Sequence, residues 1–227
     1  MRSPLATAVT RNPARSDDDA STRERMLDVA LGAFAELGYD GASTRTIAGR
    51  AGVNQGLIPY HFGSKEALWR EAVDRVFAEL RHEFGPLLAE ADPATNTTAD
   101  RIEPLIRSLV RFVARRPEFA RLMSDEGKRD GPRMRWIVDR HVRPLYQATQ
   151  TALDRVRQEG LLPGAVTGLD PLHLYYILVG AVTQLFHQAP ECRRLTGRDP
   201  ADEAMVEAHA DALVALFVGP SPRREAK

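Results

Sequence analysis

The chain has 227 residues, 31 basic and 31 acidic side chains, 43% apolar residues and a mean hydropathy of −0.33, the make-up of a soluble globular protein with length for one or two domains. Zero net charge excludes a global pull toward nucleic acid or membrane, so any such affinity comes from local patches. The single cysteine, Cys192, excludes a disulfide scaffold; the most apolar run, Leu174 to Phe186, is too short for a bilayer span, and an N-terminus holding Arg2, Pro4, Arg11, Pro13 and Arg15 is no secretory signal, so a cytoplasmic location is expected.

Residues 1–20 offer little apolar area to offset ordering entropy and are expected to form a tail, as are residues 219–227. From there apolar residues recur at three- and four-residue spacing, without strand-like alternation, so an all-α fold is expected. The first helix starts near Ser21 or Thr22, carries Leu27, Ala30, Phe34 and Leu37 on one face, and stops at Gly38. Ser43 caps a short second helix with Ile47, Ala48 and Ala51 as its apolar side, ended by Gly52. A third begins after Asn54 and runs to about Phe62. A fourth, from Lys65, carries Leu68, Ala72, Val76 and Leu80. The Pro86 region and Asp92–Asp100 read as loop. Further helices are placed at about 100–115, 117–127, 132–159, 171–189 and 201–217, with Pro117, Pro171 and Pro200 near three starts and Asp170 and Asp199 as caps. Gly160, Gly164 and Gly168 break the chain between the third and fourth of these. Pro144 is expected to kink the 132–159 helix by freeing the carbonyl of Arg140.

Two short helices joined by Ala51-Gly52-Val53-Asn54 have the layout of a helix-turn-helix, whose second helix enters the DNA major groove. Residues 41–65 contain Arg45, Arg50 and Lys65 and no Asp or Glu, although acids equal bases over the whole chain. A carboxylate there would repel phosphate, so this window is an electrostatic footprint for nucleic acid. A helical adaptor that binds only proteins is the alternative, and it leaves the acid-free window unexplained. Enzyme readings fare worse. Glu79-Leu80-Arg81-His82 has the Glu-x-x-His spacing of a di-iron bundle, but no second copy accompanies it, and Pro86 stands where a zinc-protease pattern needs its second His. No nucleophile elbow or phosphate loop is present, and Cys192 beside Arg193-Arg194 reads as incidental rather than as a redox sensor. No catalytic residue, metal or cofactor is expected.

The stretch Met26–Leu68 resembles the DNA-binding domain of TetR-type (tetracycline-repressor-like) bacterial transcription regulators. The resemblance rests on Met26-Leu27, Ala30, Phe34, Gly38-Tyr39, Ile47-Ala48, Ala51-Gly52-Val53, Tyr60-His61-Phe62, Lys65-Glu66 and Leu68. It implies a three-helix DNA-binding domain over 21–67 and a helical-bundle ligand-binding and dimerisation domain over 68–218. It also implies site roles. Arg45 would reach a base edge or a phosphate; Gln55, Gly56 and Leu57 would open the recognition helix, with Gln55 on a base or phosphate and Leu57 on a thymine methyl. Tyr60, His61 and Lys65 would contact sugar-phosphate, and Thr44 is a lesser phosphate candidate. Pro59 stands where many members have Tyr, which removes one phosphate contact and one helical N–H.

The 171–189 helix is apolar on two opposed faces, Leu172, Tyr176, Val179 and Phe186 on one and Leu174, Leu178, Ala181 and Leu185 on the other. With Met205, Ala208, Ala212, Leu213 and Leu216 of the 201–217 helix, it would form a four-helix homodimer interface of the kind the resemblance implies. Ile137, His141, Leu145 and Ala148 follow helical spacing on an inward face. His141 is either a satisfied core histidine or a ligand contact. Phe112, Met123, Trp136, Tyr146, Tyr175 and His187 complete the candidate cavity, suited to a lipophilic or aromatic effector. The expected whole is a homodimeric repressor of a pseudo-palindromic double-stranded operator, released when a small molecule moves the fourth helix.

Overall fold

The computed structural model describes residues 13–89, 98–158 and 168–218, so the expected tails over 1–12 and 219–227, the Asp92–Thr97 part of the expected loop, and Gly160 and Gly164 lie outside the described residues. Every element among the described residues is helical. The chain divides into two compact units, Met1–Asp74 and Arg75–Lys227.

The first unit holds α1 (Pro13–Gly41), α2 (Thr44–Ala51), α3 (Leu57–Phe62) and the start of α4 (Lys65–Ala89). Helix α1 begins at Pro13, well before Ser21; proline tolerates a first helical position, where its missing N–H has no partner to lose. Met26, Leu27, Ala30, Leu31, Ala33 and Phe34 are buried at the three- and four-residue spacing of one helix face. Leu37, expected on that face, is 39% exposed, because Gly38 takes φ 69° and turns the chain out of the helix one residue later. Helix α2 is bounded as its residues require. Ser43 Oγ accepts the Thr46 N–H at 3.0 Å, and Gly52, left-handed at φ 66°, sends its N–H back to the end of the helix. Ile47, Ala48 and Ala51 are buried, as are Ile58, Phe62, Leu68 and Trp69 of the same unit. Helix α3 starts two residues later than its sequence suggests. Asn54 Oδ1 accepts the Gly56 N–H at 2.8 Å, closing a side-chain turn that holds Gln55 and Gly56 outside the helix.

In the second unit α4 continues through Pro86 to Ala89 rather than ending in a loop. The carbonyl that Pro86 leaves free is that of exposed His82, where water can satisfy it, and little helix remains beyond. Then come α5 (Thr98–Arg115), α6 (Pro117–Glu126) and α7 (Pro132–Ile137). Thr98–Asp100, expected as loop, are already helical. Where the kink is expected, a π turn over Val138–Val142 leads into α8 (Arg143–Gln158), with the Arg143 N–H reaching the Val138 carbonyl. Widening the coil there relieves the overlap that the Pro144 ring would have with the Arg140 carbonyl in a regular α-helix. The wider turn also shifts the apolar register. His141 stays buried, whereas Ala148, expected on the same face, is exposed.

Helix α9 (Pro171–His187) is capped as anticipated, Asp170 accepting the Leu172 N–H at 2.8 Å. A short α10 (Ala189–Thr196), absent from the sequence reading, follows; Pro190 opens it and Gly197 at φ 72° closes it. Helix α11 (Glu203–Phe217) starts directly after Asp202. Asp199 caps no helix: its carboxylate accepts the Ala201 N–H at 3.0 Å and pairs with Arg193 at 3.0 Å, holding the preceding turn. These hydrogen bonds keep the Asp199 carboxyl below its ordinary range, the Ala201 N–H foremost. Helix α11 packs on α5, and α9 packs on α5, α6 and α8. Arg107 bridges Glu103 (2.8 Å) and Asp211 (2.7 Å), and Arg111 grips Glu207 with two bonds of 2.6 and 2.8 Å. The Arg111 bond holds the Glu207 carboxyl below its ordinary value.

Leu213, expected at the partner interface, lies inside this unit, and α9 turns Leu174 of one apolar face and Phe186 of the other inward. Phe186 and Leu213 are buried, together with Leu174, Val182, Val206, Ala210, Val214 and Phe217. Phe186 sits at the edge of the Leu172 face, and α9 rotates that edge inward. What remains exposed is a strip of Leu172, Tyr176, Ile177 and Val179 on α9, and Leu216 on α11.

Candidate nucleic-acid interface

The helix-turn-helix is set by local chemistry on both sides of its turn. Gly52 supplies the left-handed residue after α2, and the Val53 N–H bonds to the Ala48 carbonyl at 3.0 Å. Arg25 on α1 donates to the Ala51 carbonyl at 3.2 Å, placing a cation at the negative end of α2. The Leu57 N–H reaches the Asn54 carbonyl at 3.0 Å, and the Ile58 N–H reaches that of Gln55 at 3.2 Å, so α3 starts rigidly. Pro59 does not weaken this short helix. Its missing N–H falls in the first turn, where helical N–H groups have no intrahelical partner, and its carbonyl accepts the Gly63 N–H at 2.9 Å.

The candidate contact residues divide by what already holds them. Arg45, exposed near the start of α2, has no ion-pair partner among the described residues. Arg50 does: Glu36 on α1 takes both guanidinium arms at 2.7 and 3.3 Å, so one of the three cations of the acid-free window is already paired. Lys65 lies with Nζ 4.5 Å from the centre of the Tyr39 ring and 3.5 Å from the Asp40 carbonyl. Tyr39 is itself stacked on Phe34 at 5.8 Å, meets Trp69 edge-on at 6.3 Å and donates to Glu66 at 3.3 Å. Sequence reasoning missed Tyr39 as the seat of Lys65, although its position directly before Asp40 and the acid-free window was a usable signal.

Gln55 and Thr44 join across the turn, the Gln55 amide donating to Thr44 Oγ1 at 3.3 Å. Gly56 is exposed, and a Cβ there would stand 3.2 Å from Asn54 Oδ1, which favours glycine in this turn. Leu57 is half-buried. Tyr60 is 74% exposed and packs edge-on against the half-buried His61 at 4.9 Å, with Phe62 anchoring the pair in the core. Arg23, paired with Glu71, sits over the Phe62 ring at 5.1 Å.

The candidate effector residues fall into two groups. Phe112 meets Phe119 (5.9 Å), which meets Phe77 (5.1 Å); His141 stacks flat on Phe77 at 4.3 Å and takes the Trp136 edge at 5.3 Å. Arg81 lies 3.1 Å from His141 Nδ1. Tyr146 and Tyr175 meet edge-on at 5.1 Å in a second group, where Gln150 donates to the Tyr146 hydroxyl and burial raises the Tyr175 hydroxyl pKa. Met123 and His187 are half-buried and join neither group by any ring contact; the His187 Nδ1 is buried without a hydrogen-bond partner among the described residues. None of the seven lines the groove of about 670 Å³ between the end of α4 and α5, which is walled by Glu83, Glu103, Arg107 and Arg111. Among the described residues no group of His, Cys, Asp and Glu is arranged to hold a metal, and no helix is long and apolar enough to cross a membrane.

A capped helix-turn-helix with exposed cations, amide and aromatic hydroxyl, and no acid in its own segment, defines a DNA-binding transcriptional regulator. Residues 26–72 match the bacterial regulatory proteins of the tetR family, and residues 99–216 match the tetracyclin repressor-like C-terminal domain. The chain belongs to the tetR family of bacterial regulatory proteins. It is 25% identical over 224 residues to the HTH-type transcriptional regulator RutR of Escherichia coli strain K12, covering 95% of this chain and 98% of that protein. In fold it is similar to AibR, solved with isovaleryl coenzyme A and operator DNA (TM-score 0.68, 18% identity, 88% of this chain and 100% of that one). It is likewise similar to FadR from Bacillus subtilis, solved with stearoyl-CoA (TM-score 0.62, 17% identity, 87% and 99%).

Proposed function

We propose that this chain is a cytoplasmic, homodimeric repressor, without catalysis of its own, that leaves its operator when a small lipophilic or aromatic molecule binds in the second unit. The observation that carries the DNA half is the state of the segment 43–65. Arg45 is exposed and Tyr60 is largely exposed, and among the described residues Arg45 has no ion-pair partner and Lys65 faces no carboxylate. Arg45 and Gln55 read base edges, with Leu57 against a thymine methyl. Tyr60, His61 and Lys65 hold phosphates and set the register without reading sequence. Gly56 lets the turn approach the backbone of the duplex.

The dimer half rests on the exposed strip of Leu172, Tyr176, Ile177, Val179 and Leu216, an apolar area that a monomer would leave in water. A twofold pairing of α9 and α11 covers it and sets two recognition helices about 34–36 Å apart, one DNA turn. The effector half rests on the two aromatic groups around His141 and Tyr175, apolar side chains with few polar anchors among them, the make-up of a small-molecule site. The effector favours the DNA-incompetent state, since equal affinity for both states would shift nothing.

The test is a gel shift on an operator selected from a random duplex pool, comparing the protein with its Arg45→Ala/Gln55→Ala/Lys65→Ala variant. Equal binding by the two refutes the DNA assignment. A thermal-shift screen that includes isovaleryl-coenzyme A and stearoyl-coenzyme A then supplies ligands for titration of the operator complex. A ligand that binds without changing operator affinity refutes the sensing assignment.

A further inference from the structure

We infer that Thr44 is a positioning residue for base readout: it holds the Gln55 amide so that its acceptor-and-donor edge faces the groove and selects adenine. This inference rests on the DNA-binding reading above and assigns the chemistry of one contact within it.

The bond from Gln55 Nε2 to Thr44 Oγ1 spans the two helices of the motif, from the first residue of α2 to the residue preceding α3 by two positions. Both ends have fixed backbones. Thr44 follows the Ser43 cap, whose Oγ accepts from Thr46. Gln55 lies inside the Asn54 turn, with its carbonyl accepting the Ile58 N–H. Only the glutamine side-chain torsions are left, and the threonine hydroxyl restrains the far end of them. No carboxylate within residues 41–65 competes for the amide.

A carboxamide nitrogen carries two hydrogens. The hydrogen pointing away from the amide oxygen can be given to Thr44, while the other lies beside Oε1 and completes a parallel donor–acceptor edge. Adenine offers the complement in the major groove, N7 to accept and the N6 amino group to donate. Guanine offers two acceptors there, against which Oε1 is repelled. Without Thr44 the amide rotates freely and can present either order of its atoms, so the loss falls on discrimination before it falls on binding.

The experiment selects operators from a random duplex pool with the wild-type protein, then measures binding to all four base pairs at each position for wild type, Thr44→Val, Thr44→Ser, Gln55→Ala and the Thr44→Val/Gln55→Ala pair. One position per half-site is expected to prefer adenine and to lose that preference in Gln55→Ala. Thr44→Val, which keeps the side-chain shape, should reduce the preference at that position about tenfold, equivalent to about 1.4 kcal/mol, and leave the other positions unchanged. Thr44→Ser keeps the hydroxyl and should read as wild type, and Thr44→Val should add nothing in the Gln55→Ala background. A uniform loss at every sequence in Thr44→Val would make Thr44 a phosphate contact and overturn the inference. So would a Gln55-dependent position that prefers any other base, or an undiminished Thr44→Val effect without Gln55. If the wild-type protein enriches no sequence, the DNA-binding reading itself falls, and this inference with it.

Discussion

Lys65 offers the sharpest quantitative check, because its charge and its seat can be removed separately. Its ammonium lies 4.5 Å above Tyr39, at the start of α4, with no carboxylate paired to it among the described residues. A phosphate contact at this point releases one counterion, so Lys65→Ala should flatten the slope of log K against log salt by about 0.9 per half-site, or about 1.8 on a two-site operator. Between 50 and 200 mM salt that difference amounts to about tenfold in relative affinity. Tyr39→Leu keeps the cation and removes the aromatic face that holds it. An exposed cation–π contact is worth about 0.5–1 kcal/mol, so affinity should fall about two- to fivefold per half-site while the slope stays that of wild type. Tyr39→Phe, which keeps the ring and loses the hydroxyl bond to Glu66, should bind as wild type does. Fluorescence anisotropy on a selected operator over a salt series measures all three, with unfolding midpoints to confirm that the Tyr39→Leu domain is folded. An unchanged slope in Lys65→Ala, or a changed one in Tyr39→Leu, would refute the reasoning.

Tyr176→Asp or Leu216→Asp, both on the exposed strip, should raise the dimer dissociation constant about 100-fold or more by burying an unpaired charge, as read by sedimentation; a wild-type protein monomeric at micromolar concentration refutes the interface. Leu213→Asp should instead unfold the second unit, since Leu213 is an internal residue. Gly52→Ala should cost about 1–2 kcal/mol of stability in denaturant titration through its left-handed backbone alone, because an added Cβ meets nothing within 4 Å. Glu207, held by Arg111 below its ordinary value of 4.5, contributes stability above that value and loses it as pH falls through the depressed one. The difference in melting temperature between wild type and Glu207→Gln should therefore be present at pH 7 and shrink progressively as the pH is taken below 4.5, and a constant difference would contradict the assignment.

What the sequence by itself determined are features written within a few residues of one another. Ser43 and Gly52 bound α2, Asp170 and Pro171 start α9, and the apolar spacing of Met26 to Phe34 and of Leu68 to Leu80 builds the buried faces of α1 and α4. Caps and periodicity act over one or two turns of chain, so they survive whatever the rest of the molecule does. The acid-free window is equally local and marks the interface before any helix is placed. Tertiary structure decided whatever depends on distant partners. Glu36 neutralises Arg50, Tyr39 seats Lys65, and Thr44 meets Gln55, each across a separation that no periodicity reports. The π turn before Pro144 sends Ala148 outward while His141 lies against Phe77, and the rotations of α9 and α11 take Phe186 and Leu213 inside while Tyr176 and Leu216 remain in solvent. An apolar residue in an apolar helix carries no mark of which side will be covered by its own chain; packing against α5, α6 and α8 makes that choice, because only the folded chain decides which surface is withdrawn from water.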